Sequence, residues 1–86
     1  MAREPMTEEM PRYLRRTYLA ARKWPLDVRA FAMAEIWNEA TNPALFRSNQ
    51  EHDQCKRIAR ACKKQIRRFG LAVRELSNGT LLAYGR

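Results

Sequence analysis

The sequence predicts a mostly α-helical fold closed by a C-terminal β-hairpin, an α+β layout with three main helices and one short helical turn. Three observations predict it. Apolar residues recur three or four apart through three segments, which is the period of a helix face. Two proline-bearing breaks, Trp24-Pro25 and Asn42-Pro43, separate those segments. After Gly70 the pattern shortens toward a strand period, and Asn78-Gly79 supplies the residues of a tight hairpin turn.

The elements follow in order. Residues 1–6 read as a loose arm, and 7–86 as a single domain whose hairpin spans 71–84. The first helix should start near Thr7 or Pro11, with Thr7 as a cap and Glu8 and Glu9 at the positive end of the helix dipole. Met10, Leu14, Tyr18 and Ala21 form its apolar stripe. The second helix should run from Pro25 or Asp27 to Thr41. It is apolar on most sides (Leu26, Val28, Phe31, Met33, Ile36, Trp37), which places it in the middle of a small core. Residues 43–47 form a short helical turn, pinned by Leu45 and Phe46.

The third helix carries the strongest local signal. Ser48-Asn49-Gln50-Glu51 matches a capping box, with the Ser48 hydroxyl accepting from the Glu51 N–H and the Glu51 carboxylate reaching back to the Ser48 N–H. The helix should extend from about Asn49 to Phe69 and end at Gly70 in a left-handed conformation. In the hairpin, a two-residue Asn78-Gly79 turn sets Val73 opposite Tyr84 and Glu75 opposite Leu82. Leu71, Val73, Leu82 and Tyr84 then share the core face, and Leu76 and Leu81 the outer one.

Charge points to the class of partner. The 86 residues hold 17 Lys+Arg against 9 Asp+Glu, a net of +8. Such an excess favours phosphate-rich partners or an acidic protein surface. It is concentrated in the third helix. Cys55, Ile58, Ala59, Cys62, Ile66 and Phe69 make an apolar stripe there, and Lys56, Arg57, Arg60, Lys63, Lys64, Arg67 and Arg68 take the other sides. No acidic residue lies between Gln54 and Arg74. Like charges at these spacings repel by a few tenths of a kcal/mol per neighbouring pair, and a polyanion removes that repulsion. These seven residues are the expected phosphate contacts. Ahead of them, Asn49, Gln50, His52 and Gln54 are candidates for reading base edges, because a side-chain amide can pair with adenine in the major groove.

The order helix, helix, short turn, basic helix, glycine, hairpin resembles a winged helix-turn-helix domain. Ser48 to Gly70 carry the likeness as recognition helix and Leu71 to Tyr84 as wing, and it covers about residues 26–84. The resemblance implies a recognition helix in the major groove and a hairpin on the backbone or minor groove, with Arg74, Asn78 and Thr80 as wing contacts.

The expected function is therefore that of a small DNA-binding protein, a transcriptional regulator or a phage or plasmid accessory factor, acting on duplex DNA without catalysis. A phage-type inhibitor or adaptor that docks on an acidic surface of a host protein is the alternative, and structured-RNA binding a further one. No catalytic residue, cofactor or metal is expected. The chain lacks a Gly-rich phosphate loop, a Ser/His/Asp set and a second histidine. Cys55 and Cys62 stand too far apart on one helix for a disulfide and read as small core residues. No apolar run approaches the ~20 residues of a membrane span, and residues 1–5 carry no apolar signal core, so a cytoplasmic setting is expected. A homodimer could form through Leu76 and Leu81 or through the first helix. Trp24, beside Arg22 and Lys23, would offer a partner-binding patch if exposed.

Overall fold

A computed structural model describes residues 9–84. The expected arm and the Thr7 cap fall outside them. Helix α1 spans Glu9–Ala21, α2 Leu26–Ala40 and α3 Asn49–Phe69; a 3-10 turn covers Pro43–Leu45, and strands β1 (Val73–Glu75) and β2 (Leu81–Ala83) form an antiparallel hairpin. This is the α+β layout expected.

One core holds all of these elements. Leu14 and Ala21 come from α1, Ala30, Met33, Ile36 and Ala40 from α2, Cys55, Ala59 and Cys62 from α3, and Leu71 precedes the hairpin. The small alanines and cysteines let the helix backbones approach closely. Cys55 and Cys62 are free and fully buried, as their shared helix face dictates. Burial pushes the Cys62 thiol up to about 12, and burial together with the Glu51 charge pushes Cys55 up to about 11. Both are therefore held as inert, protonated thiols.

The second helix is less enclosed than its composition suggests. Ala30, Met33, Ala34, Ile36 and Ala40 are buried, but Leu26, Val28 and Phe31 are 53%, 45% and 57% exposed. The buried residues share one helix face, Val28 and Phe31 fall on the opposite one, and Leu26 sits at the open N-terminal end. Its first turn is held from outside: the Arg29 guanidinium donates twice to the Trp24 carbonyl (3.0 and 3.2 Å) and once to Gln65 on α3 (3.3 Å). Between α2 and α3, Asn42 caps the 3-10 turn through Ala44 N–H. Phe46 packs on the core and stacks on His52, whereas Leu45 stays 41% exposed and pins nothing.

Ser48 caps α3 as expected, accepting from Glu51 N–H at 3.2 Å. The return bond differs. The Glu51 carboxylate accepts from Arg47 N–H at 2.8 Å, one residue earlier than the capping box expects. Glu51 is only 4% exposed, so its charge is turned inward, away from any ligand on the outer face. Gly70 ends the helix at φ 60°, ψ 40°, and Leu71 N–H reaches back to the Ile66 carbonyl at 3.0 Å while its side chain enters the core.

The hairpin register corrects the expected one. Val73 pairs with Ala83, Arg74 with Leu82 and Glu75 with Leu81. The loop has three residues rather than two: Leu76 N–H donates to the Thr80 carbonyl (2.8 Å) and Gly79 N–H to the Leu76 carbonyl (2.9 Å), with Gly79 at φ 91°. That is the hairpin class in which glycine takes the left-handed position after a turn. A one-residue slip reverses every side chain. Leu81 is accordingly buried (4% exposed), and Leu82 and Tyr84 lie outside. Asn38 of α2 secures this register. Its side-chain amide donates to the Leu81 carbonyl at 2.9 Å, and its oxygen accepts from Leu81 N–H at 2.8 Å, satisfying the strand edge that faces away from β1. Leu81 is thus unavailable for a dimer contact.

Candidate functional site

The outer face of α3 is the most strongly charged surface of the described residues. Its inward arc is set by Glu51, Cys55, Ala59 and Cys62. A helical step of 100° then turns Asn49, Gln50, Asp53, Lys56, Arg57, Arg60, Lys64, Arg67 and Arg68 outward, and all of these are exposed. From Arg57 to Arg68 the face extends about 16 Å along the axis at ~1.5 Å per residue.

The seven expected phosphate contacts divide into two groups. Lys56 forms an ion pair with Asp53 at 3.3 Å, between two well-exposed side chains. Such a pair is worth little and exchanges readily for another anion. Lys63 is held more firmly. It meets Glu75 of β1 at 3.4 Å, and its ammonium lies 5.0 Å from the Trp37 ring centroid. Lys63 thus links the hairpin to α3 and α2 and is the expected phosphate contact most engaged by other described residues. Arg57, Arg60, Lys64, Arg67 and Arg68 have no carboxylate partner among the described residues. Arg68 only overlies the adjacent Phe69 ring, at 5.7 Å.

The base-reading candidates divide as well. Asn49, Gln50 and Gln54 are exposed on or beside the same face. His52 is not: its ring stacks on Phe46 with centroids 4.9 Å apart, and Nε2 is buried without a hydrogen-bond partner. Its ring packs in the α2–α3 connection rather than facing outward with the amides. In the wing, Arg74 is exposed on the outer face of β1. Asn78 accepts from Thr80 N–H at 3.0 Å and shapes the loop, while Thr80 is half-buried.

One contribution could not be read from the sequence. An open groove of about 600 Å³ lies between α1 and the first half of α3, bordered by Arg12, Arg15, Gln50, Gln54 and Arg57, with Asp53 on its rim. Arg12 and Arg15 are three apart and share a helix face, which was legible; that this face turns toward α3 was not. The basic surface therefore begins on α1, beside the amides, and continues along α3.

Asp53 is the one carboxylate exposed on this face, 68% accessible and partnered by Lys56. It divides the surface into a mixed N-terminal third and a wholly cationic remainder. Among the described residues there is no cluster of His, Cys, Asp and Glu able to hold a metal ion, and no helix long and apolar enough to cross a membrane. No family model matches the chain, and comparison with curated proteins and with solved structures returns no significant match.

Proposed function

We propose that this protein binds duplex DNA, without catalysis, through the outer face of α3. The observation that carries this reading is the row Arg57, Arg60, Lys64, Arg67 and Arg68, five cations on one rigid helix face that no carboxylate among the described residues engages. In water this row repels itself; against phosphates it releases counterions and gains affinity. Arginine predominates in it, and the planar guanidinium can hold a phosphate through two parallel hydrogen bonds.

In this reading Arg57 to Arg68 follow the backbone of one strand, and Asn49, Gln50 and Gln54 at the leading end face base edges. Arg15, across the groove from Gln54, adds a cation beside those amides. Arg74 is the wing residue best exposed for a backbone contact. The order of helices and hairpin fits a winged helix-turn-helix arrangement, with α3 in the major groove. A regulator or a phage or plasmid accessory factor, working in the cytoplasm, fits this chemistry.

The test is fluorescence anisotropy on a random duplex at low salt with wild type and the double variant Arg60→Glu/Lys64→Glu. The expected result is a loss of roughly 100-fold in affinity with the helical circular dichroism spectrum retained. Equal affinity of the two proteins contradicts the assignment. Displacement of the duplex by a much smaller charge equivalent of structured RNA reassigns the ligand to RNA. No binding to either nucleic acid leaves the acidic-protein reading in its place.

A further inference from the structure

Among the described residues, seven of the twelve buried apolar positions are alanine or cysteine, and several large apolar side chains lie outside. The buried apolar positions include Ala21, Ala30, Ala34, Ala40, Ala59, Cys55 and Cys62, while Tyr13, Trp24, Leu26, Val28 and Phe31 are 40% to 57% exposed. Isolated exposed apolar residues are ordinary, but contiguous ones mark interaction surfaces. Four of these five are contiguous. Tyr13, Trp24, Val28 and Phe31 border one groove of about 230 Å³ between α1 and α2, and no residue of α3 lines it. It lies on the side of the α1–α2 layer away from α3, and so away from the basic row.

The same groove is charged asymmetrically. Glu35 and Glu39 line one end. Neither has a cationic partner among the described residues, and desolvation together with the Glu35 charge pushes the Glu39 carboxyl up. At the other end Arg22 and Lys23, both exposed, precede Trp24. An apolar strip with an acidic end and a basic end is complementary to itself once turned through 180°, the condition for a twofold contact. The size also fits. The four exposed side chains that border the groove offer roughly 400 Å² of surface, close to what a standard interface of about 800 Å² per partner, a little over half of it apolar, requires.

We infer that the α1–α2 face seats a second copy of this chain in an antiparallel twofold contact, with Phe31 of each copy inserted in the groove of the other and Arg22 and Lys23 set against Glu35 and Glu39 of the second copy. Phe31, at 57% the most exposed large apolar side chain on this face, is the anchor. A foreign helix could fill the groove, but it would need to supply both the aromatic knob and the reversed charge order that a second copy already has.

Sedimentation equilibrium on the full chain, without nucleic acid, tests this. Wild type should show a concentration-dependent dimer mass in the micromolar range. Phe31→Glu should weaken self-association by roughly 100-fold while leaving the helical spectrum intact. Glu39→Lys should weaken it by about tenfold, and the swap Lys23→Glu/Glu39→Lys should restore most of that loss. The swap guards against a folding artefact, because only a contact between the two sites recovers. A monomeric mass at every concentration, or a dimer indifferent to Phe31→Glu and to the charge reversals, overturns the inference. Neither result bears on the α3 reading, since no nucleic acid is present.

Discussion

The outer face of α3 and the outer face of the α1–α2 pair are both left without a partner by the fold, in opposite chemical senses. On α3 the inward arc takes most of the apolar residues and the outward arc is cationic, so the surface is what an amphipathic helix should present; what is unusual is that Asp53 is its one exposed acid. On the α1–α2 side Tyr13, Val28 and Phe31 face outward beside Glu35 and Glu39, so amphipathicity fails on α2. The difference teaches how each can be read. A charged face left open costs little in water and is explained only by charge density, whereas an open aromatic face costs hydrophobic free energy until something covers it.

Substitutions of similar size separate the two. Leu14→Ala, at a fully buried position beneath the α1–α2 face, should destabilise the protein by about 3 kcal/mol in urea unfolding. Phe31→Ala removes a larger side chain, yet should change monomer stability by no more than about 0.5 kcal/mol, because its ring is mostly in solvent. A large loss from Phe31→Ala would mean that the face is already closed within one chain.

Asn38→Ala comes next. It strips both hydrogen bonds from Leu81 and leaves a half-buried strand edge unsatisfied, a cost of about 2 kcal/mol. Hydrogen exchange at Leu81 should accelerate while exchange within α3 stays slow. If the hairpin is the wing, DNA affinity should fall less than stability does.

A smaller effect concerns the thiols. Both have folded pKa values raised above the ordinary 9.0, so below pH 9 they add no pH dependence. Above that the unfolded chain loses protons first, and stability should fall by about 1.4 kcal/mol per pH unit for each thiol until the folded values near 11 and 12 are reached. Alanine at both positions should flatten this alkaline limb, and a disulfide reagent at pH 8 should label the native protein only at its rate of unfolding.

The smallest differences lie within the basic helix. Lys63→Gln should reduce DNA affinity less than Arg60→Gln, by a margin of about threefold, because Lys63 is engaged by Glu75 and Trp37 and Arg60 is not. Equal losses would place Lys63 on a par with Arg60 in the ligand set.

Helix positions were legible in the sequence because local chemistry determines them: proline breaks, the Ser48 cap, the left-handed Gly70 and the apolar stripe of α3 each act within a few residues. The hairpin register was not. Asn78-Gly79 serves a two-residue and a three-residue loop equally well, and the choice rests on Asn38, more than forty residues away, gripping Leu81. The same limit applies at the site. The cation row follows from helical periodicity, but the capture of Lys63 by Glu75, the stacking of His52 on Phe46 and the shared groove that Arg15 and Gln54 border arise from packing and carry no local signal. Composition misled at α2, where counting apolar residues suggested full burial and the core instead took one face of the helix, leaving Val28 and Phe31 outside.

The most direct test of the central claim is the salt dependence of duplex binding. Five cations that no carboxylate among the described residues engages set a slope of about −4.5 in log affinity against log salt concentration, equivalent to a roughly 500-fold loss between about 50 and about 200 mM. Replacing Arg60 and Arg67 with glutamine should reduce that slope by about two. A wild-type slope near zero, or one that the two substitutions leave unchanged, would contradict the assignment of DNA binding to the outer face of α3.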